Sequence, residues 1–406
     1  MSSAPSGEQT ARRTRGRAAS FFLDDHRYVL LGTSAAAFVG MLLSSSPRPA
    51  MSFLSQAFTV ELVMYYLLVA WLVVSAVALV TKLAKWRDYT SFSPFARPAV
   101  RRALRYASYA VWAIVLVLFV DRVVMGVASA WNVAVAAASI ADPKRPEPML
   151  ESMCYILYQG RDTFFTGLVT TVELAVFGTV IAFFLALLLV FARIQTIDRP
   201  DNDFVRFWKV VGSGFAKVYS TVVRGTPMMV QAMIVYYGIL GIIRATGDFS
   251  GAELNQIWSA FNAGLVTVSL NSTAYMMEVL RGGIAAVDKG QMEAARSLGL
   301  SQWQAMLKVV FPQGIKNSIP GLSNELVINI KDSSVLSIIS VFDLTFAART
   351  IGGNYYDYFP AFLIAAAIYL VLTMVATWLL GRFAHRFNVK TEAVGSTSDT
   401  PVKVEE

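Results

Sequence analysis

The chain has 406 residues, of which 55% are hydrophobic and only 15% charged, and its formal net charge is +8. Soluble domains carry about 25% charged residues, so much of this chain must face lipid. Cys154 is the sole cysteine, which excludes an intrachain disulfide.

Residues 1–27 are polar and basic, and they read as a disordered cytoplasmic tail. The apolar run that follows is longer than a signal-peptide core, and no convincing small-residue cleavage site comes after it, so we expect an uncleaved anchor. Spanning a bilayer takes about 20 mainly apolar residues. Eight stretches qualify: 28–47, 58–82, 107–130, 164–193, 218–243, 257–281, 320–344 and 359–383. Backbone polar groups in lipid must be satisfied within the segment, so these are helices. The expected fold class is all-α, a polytopic membrane protein with about eight transmembrane helices.

The basic residues are placed unevenly. Arg12, Arg13, Arg15, Arg17 and Arg27 precede the first span, and Lys82, Lys85, Arg87, Arg97, Arg101, Arg102 and Arg105 follow the second. Arg193, Arg199, Arg206, Lys209 and Lys217 follow the fourth, whereas the first loop holds only Arg48 and the 244–256 connection only Arg244. Lys and Arg on every second loop is the positive-inside pattern. It puts both termini and the 282–318 segment in the cytoplasm of a cell-membrane protein. The charge therefore reports orientation in lipid, not nucleic-acid binding.

Prolines and charges in "ADPKRPEPMLES" (141–152) separate three spans from five. We divide the chain into the tail 1–27, an N-terminal extension 28–155, a C-terminal core 156–388 and a disordered cytoplasmic tail 389–406. Asp121–Arg122 in the third span and Glu173 in the fourth read as packing pairs. Nearly all other unusual residues lie in the core.

Between the sixth and seventh spans stands "DKGQMEAARSLGLSQWQAMLKVVFPQG", Asp288 to Gly314. Asp288 is a candidate N-cap with Gln291 at capping-box spacing, and Gly299 a candidate C-cap. Ser301 and Gln304 repeat the signal, and Pro312 is expected to limit the second helix. Trp303, Met306, Leu307, Val310 and Phe311 give that helix one apolar face. Ala294 and Ala295 beside Glu293 form a compact surface on the first. The residues alone allow two readings: a rigid knob that enters a groove on a partner, or an amphipathic helix lying on lipid.

Polar residues within spans are unfavourable in lipid and mark cavities or partners. Arg224, Gly225, Thr226 and Pro227 open the fifth span, where Pro227 breaks the hydrogen-bond ladder and freed groups can line a cavity. Gln231 and Tyr237 lie further along. Glu278 and Arg281 either pair on one helix face or present charge to a passing solute, and Asn271 and Tyr275 share that general face. Lys331 and Asp332 sit mid-span in the seventh helix, as an inter-helix charge pair or a substrate contact. The pathway candidates are thus Arg224, Thr226, Gln231, Asn271, Tyr275, Glu278, Arg281, Lys331 and Asp332. No Gly-Lys-Ser or Gly-Lys-Thr occurs, no metal-ligand spacing is present and no catalytic set exists, so the chain is not expected to be an enzyme.

The knob sequence resembles the EAA signature of bacterial ABC-transporter permease subunits, with Glu293, Ala294, Ala295, Gly299 and Pro312 in the signature positions. "VVRGTPMMVQAMIVYYG" (222–238), "STAYMMEVLRGGIAAVDKGQ" (272–291) and "NIKDSSVLSIISVFDL" (329–344) resemble the polar amino acid uptake permeases among them. In that family the corresponding runs read R-G-T-P, A-Y-x-x-E-x-x-R-G-G-I and K-D-T-S-L. Ser333 and Val335 depart from the usual Thr and Leu. The resemblance covers about 164–388 and is silent on the three earlier spans.

It implies an ABC importer permease core of five spans that translocates polar amino acids. Its coupling helix, about 288–300, would dock in a separate ATPase through Gly290, Gln291, Glu293, Ala294, Ala295, Gly299 and Leu300. Implied partners are an ATPase dimer, which would bind the ATP, a second permease (identical or paralogous) and an extracytoplasmic amino-acid-binding protein. No cofactor is expected in this chain itself, and membrane lipid is its solvent. An ion-coupled secondary transporter and a membrane scaffold or sensor are the alternatives.

Overall fold

The computed structural model describes residues 32–84, 98–140, 143–195, 197 and 201–386. Both expected tails, and the loop cations Lys85, Arg87 and Arg97, lie outside the described residues. Among the described residues the structure is helical, with no strand. The chain divides into two compact units, Met1–Tyr155 and Ile156–Glu406.

The first unit contains α1 (Gly32–Ser45), α2 (Phe58–Ala84) and α3 (Pro98–Phe119). The last continues through a π turn (Val120–Val124) into α4 (Met125–Ala138). Ala36, Ala37, Leu68, Trp71, Val111 and Leu118 form its apolar core. Beside that core lies a charge cluster. Asp121, fully buried, accepts from Ser52 Oγ at 2.8 Å and from the Leu54 backbone N–H at 3.1 Å. Arg122 pairs with both Asp121 and Glu61, and its Nε donates to the Leu43 carbonyl at 3.2 Å. Arg48 closes the set at 2.8 Å from Glu61. Neighbours on a regular helix diverge by about 100°; the wider π turn lets adjacent Asp121 and Arg122 both face inward. The expected Asp121–Arg122 packing pair thus extends to a second carboxylate on α2. Glu173, by contrast, is exposed and forms no ion pair among the described residues.

Helix α5 (Met149–Arg193) carries the division between the units. The second unit continues with α6 (Asp203–Arg224), α7 (Met228–Thr246), the short α8 (Gly251–Ile257) and α9 (Ala260–Ala285). Then come α10 (Lys289–Ser297) and α11 (Gln302–Ala305), a π turn (Met306–Val310) and α12 (Phe311–Asp332). A 3₁₀ turn (Ser333–Ile339), α13 (Leu344–Asn354) and α14 (Tyr358–Arg386) complete it.

Several expected boundaries change. Among the described residues five helices are long and apolar enough to cross a membrane, and the pair Gln302–Ile339 plus Leu344–Asn354, bent by 51°, forms either a broken sixth span or a re-entrant loop. The described part of the first expected span is a shorter apolar helix, Thr33–Ser45. The fifth expected span, 218–243, straddles two helices: amphipathic α6 stops at Arg224 and α7 starts at Met228. The sixth, α9, is 26 residues long but more polar than those five helices. Its polar side chains face protein, because Thr267, Ser269, Asn271, Ser272 and Thr273 are all buried. The seventh leaves the α-helix at Asp332, so Lys331 and Asp332 stand where α12 passes into the 3₁₀ turn Ser333–Ile339 rather than in an unbroken helix.

Pro312 does not limit the helix either. A proline ring in a regular helix meets the carbonyl four residues back. Here the Phe311 N–H reaches back five residues to Met306, and the widened turn lets the chain run on into α12.

Candidate functional site

Two features of the second unit come from the residues singled out by sequence. The first is the knob. Asp288 caps α10 by accepting from the Gly290 N–H at 2.6 Å. Gln291 does not close the expected capping box; its Oε1 accepts from Gln313 Nε2 at 3.4 Å instead. The helix ends in a Schellman motif, with Leu300 N–H on the Ala295 carbonyl, Gly299 N–H on the Arg296 carbonyl and Gly299 at φ +88°. The Ser301–Gln304 box does form, and Arg296 donates to Gln302 Oε1 at 2.7 Å, tying the two short helices together.

One side of the knob is anchored. Met292, Met306 and Phe311 pack on a cluster that includes Ala186, Val190, Met277, Leu280, Ile284 and Val310. The Phe191 ring meets Phe311 at 4.7 Å and Trp303 at 6.0 Å. Ala295 belongs to this inner side and is buried, so the small surface beside Glu293 consists of Ala294 without Ala295. The outer side exposes Gly290, Gln291, Glu293, Ala294, Ser297 and Gly299, with Leu298 85% exposed at its tip. That leucine escaped the sequence reading because a lone apolar residue in a polar run carries no period.

The second feature is a polar cleft at the junction of α6 and α7. Thr226 cannot continue α6 because Pro227 follows it, and the freed carbonyls need donors. Gln231 supplies them: its Nε2 lies 2.7 Å from Val223 O and 3.0 Å from Thr226 O. Its Oε1 accepts from Asn271 Nδ2 of α9 at 3.0 Å. Gln231 and Asn271 therefore splint the break, and Thr226 turns its hydroxyl back to Val222 O at 2.9 Å. Tyr237, on the same helix, is exposed.

Beside the splint opens a cavity of about 430 Å³, lined by Arg193, Lys217, Ser220, Thr221, Arg224, Gly225, Tyr275 and Glu278. The Arg224 guanidinium lies over the Tyr275 ring at 5.4 Å. Glu278 accepts from Arg281 Nε at 2.7 Å and from Ser220 Oγ at 3.3 Å. Of the two readings of Glu278 and Arg281, the structure forms the intrahelical pair, and the other Glu278 oxygen accepts from Ser220. Lys331 is exposed and Asp332 half-buried, and neither forms an ion pair among the described residues.

Glu325 was not found from sequence. It is buried on α12, forms no ion pair or hydrogen bond among the described residues, and interacts electrostatically with Asp332 and Arg224. The signal that could have found it is spacing: Ser318, Glu325, Asn329 and Asp332 recur at seven, four and three residues, one polar stripe of a helix. Asn329 in that stripe accepts from Ser272 at 2.7 Å and donates to Thr179 at 2.8 Å, joining α12 to α9 and α5.

With this geometry established, residues 206–389 match the family model of the binding-protein-dependent transport system inner membrane component. The chain is 35% identical over 213 residues to the arginine transport system permease protein ArtQ of Bacillus subtilis, covering 52% of this chain and 87% of that protein. It is 32% identical over 231 residues to the octopine transport system permease protein OccM of Rhizobium radiobacter, covering 55% of this chain and 85% of that protein. A crystal structure of an amino acid ABC transporter with histidines aligns at 35% identity with a TM-score of 0.48, over 57% of this chain and 96% of that one.

Proposed function

Because the chain belongs to the family of binding-protein-dependent transport inner membrane components, the permeases of amino acid ABC transporters, we propose that it is the permease subunit of an importer for polar amino acids. Two permeases line the pathway at their shared interface, and an extracytoplasmic binding protein delivers the substrate. A separate ATPase dimer binds and hydrolyses ATP, with both termini of this chain and the knob on the ATPase side. Glu293, Ala294, Gly290, Gln291, Gly299 and Leu300, with Leu298, present the docking surface.

One observation carries this reading: the knob's Met292, Met306 and Phe311 pack on the cluster of α5 and α9, and the outward side of α10 is polar or small except for Leu298, with Trp303 and Leu307 exposed on the turns that follow. A helix lying on lipid needs an outward apolar stripe, whereas a short capped helix with small residues outward suits a protein groove. The family membership supports this reading over an ion-coupled secondary transporter and a membrane scaffold or sensor.

An amino-acid zwitterion needs opposite charges in one path. Glu325 and Asp332 meet the ammonium, and Arg224 with Lys331 the carboxylate; Glu278 and Arg281 largely satisfy each other. Asn271, Gln231 and Thr226 hold the broken backbone that shapes the path, and Tyr275 carries Arg224. Glu325→Gln removes the charge and keeps the shape. In proteoliposomes holding the full importer, this variant is expected to lower amino-acid uptake at least tenfold while ATPase binding persists. Unchanged uptake would remove Glu325 from the path.

A further inference from the structure

The cavity beside the α6–α7 break holds more positive charge than its neighbours neutralise. Lys217, Ser220, Thr221 and Arg224 follow one another at three, one and three residues, so the last two turns of α6 present a single polar stripe to it. Arg193 closes the wall from the end of α5, and its Nε is buried without a hydrogen-bond partner. No carboxylate lies within ion-pair distance of Arg193, Lys217 or Arg224 among the described residues. The lone carboxylate of the wall, Glu278, is taken up by Arg281 and Ser220. The hydroxyl of Thr221 is directed to the Lys217 carbonyl at 2.9 Å, so the charged donors of the wall are the three cations.

Three cations with no ion pair among the described residues, around about 430 Å³, make a receptor for a small oxyanion, in a volume typical of small-molecule sites. A guanidinium offers two parallel N–H groups to a carboxylate, and an ammonium adds a point charge. The oxyanion has two possible sources, a soluble carboxylate or a lipid phosphate. The helix itself favours the first. Phe204, Phe207, Trp208, Phe215 and Val218 form an exposed apolar stripe on a face of α6 separate from the Lys217–Arg224 stripe, so the lipid-facing and cavity-facing sides differ.

We infer that this cavity is an exit station that holds the α-carboxylate of the transported amino acid, through Arg193, Lys217 and Arg224, after the ammonium leaves Glu325 and Asp332 and the carboxylate leaves Lys331. The inference rests on the transport reading above and adds to it a second binding position, which shares Arg224 with the first and adds Arg193 and Lys217. Arg193 and Lys217 follow the fourth span in the basic loop pattern, so the station lies toward the cytoplasmic end of the path. It offers nothing specific to a side chain, and it accepts any amino acid that the binding protein admits.

The test uses the purified full-length chain in nanodiscs of uncharged phosphatidylcholine, with calorimetric binding of L-glutamine and L-arginine. Their decarboxylated counterparts, 4-aminobutanamide and agmatine, serve as controls. Both amino acids are expected to bind and both amines to bind at least tenfold more weakly. Lys217→Gln should weaken the amino acids about tenfold, and Lys217→Arg should restore them. Equal binding of acid and amine, or no effect of Lys217→Gln, overturns the station. Displacement of bound amino acid by phosphatidylglycerol in the nanodisc also overturns it, assigning the cations to lipid phosphate. Uptake by the complete importer separates the two proposals: binding without uptake refutes the transport reading, and uptake without binding refutes the station alone.

Discussion

Arg122→Ala is expected to destabilise the N-terminal unit by about 3–5 kcal/mol, the usual result of removing one partner from a buried ion cluster. Its side chain is 2% exposed, and it lies between Asp121 and Glu61, both buried. Without it two carboxylates face each other with one cation left, Arg48. Asp121 would keep Ser52 and the Leu54 N–H, while Glu61 would keep only the half-exposed Arg48. The loop between α1 and α2 should loosen as well, because Ser52 and Leu54 are held by the same carboxylate. Arg48→Ala is the control. Its side chain is 37% exposed and stays partly hydrated, and Glu61 keeps the buried Arg122 when Arg48 is removed, so a smaller loss is expected. Thermal unfolding of the full-length chain in nanodiscs compares the two. A midpoint loss for Arg122→Ala no larger than for Arg48→Ala would show that the cluster is solvated.

Gly283→Val should be comparably damaging to the second unit. An added Cβ at Gly283 would lie 2.6 Å from the Gly314 carbonyl oxygen, and one at Gly314 would lie 2.8 Å from the Ile284 Cα. These are backbone atoms, which cannot rotate aside. The contact lets Asn317 donate to the Gly283 carbonyl at 3.3 Å and Ser318 to the Val279 carbonyl at 3.3 Å. Helices in membranes associate through such small-residue faces because lipid offers no hydrophobic drive between them. Overpacking usually costs about 1–3 kcal/mol, and a backbone clash belongs at the upper end. The readout is the thermal midpoint together with protease sensitivity of the adjoining knob. A midpoint within a degree of the parent protein would mean that α9 and α12 separate freely here.

The sequence made some features legible and left others hidden for identifiable reasons. The knob was legible because caps, a glycine stop and a helical apolar period act locally. Its lost capping box at Gln291 was not, since that side chain prefers Gln313 on α12. The fifth span was misplaced because a hydropathy window averages across Gly225–Pro227, whereas the chain stops one helix and starts another there. The π turns at 120–124 and 306–310 leave no signal in residue spacing. Pairing of Arg122 with Glu61, 61 residues apart, exists only once α2 and α3 pack. Glu325 was hidden among Leu, Val and Ile, yet its polar stripe was available from seven-, four- and three-residue spacing.

The central claim is that an outward knob, rigidly anchored to α5 and α9, couples this permease to an ATPase. Its most direct test is co-purification of the ATPase subunits with the Glu293→Lys and Ala294→Asp variants, each followed by uptake in proteoliposomes. Both side chains are exposed, so the thermal midpoint of the permease should not move. The account predicts loss of the ATPase and of uptake at that unchanged midpoint. Full ATPase retention and uptake in both variants would contradict it.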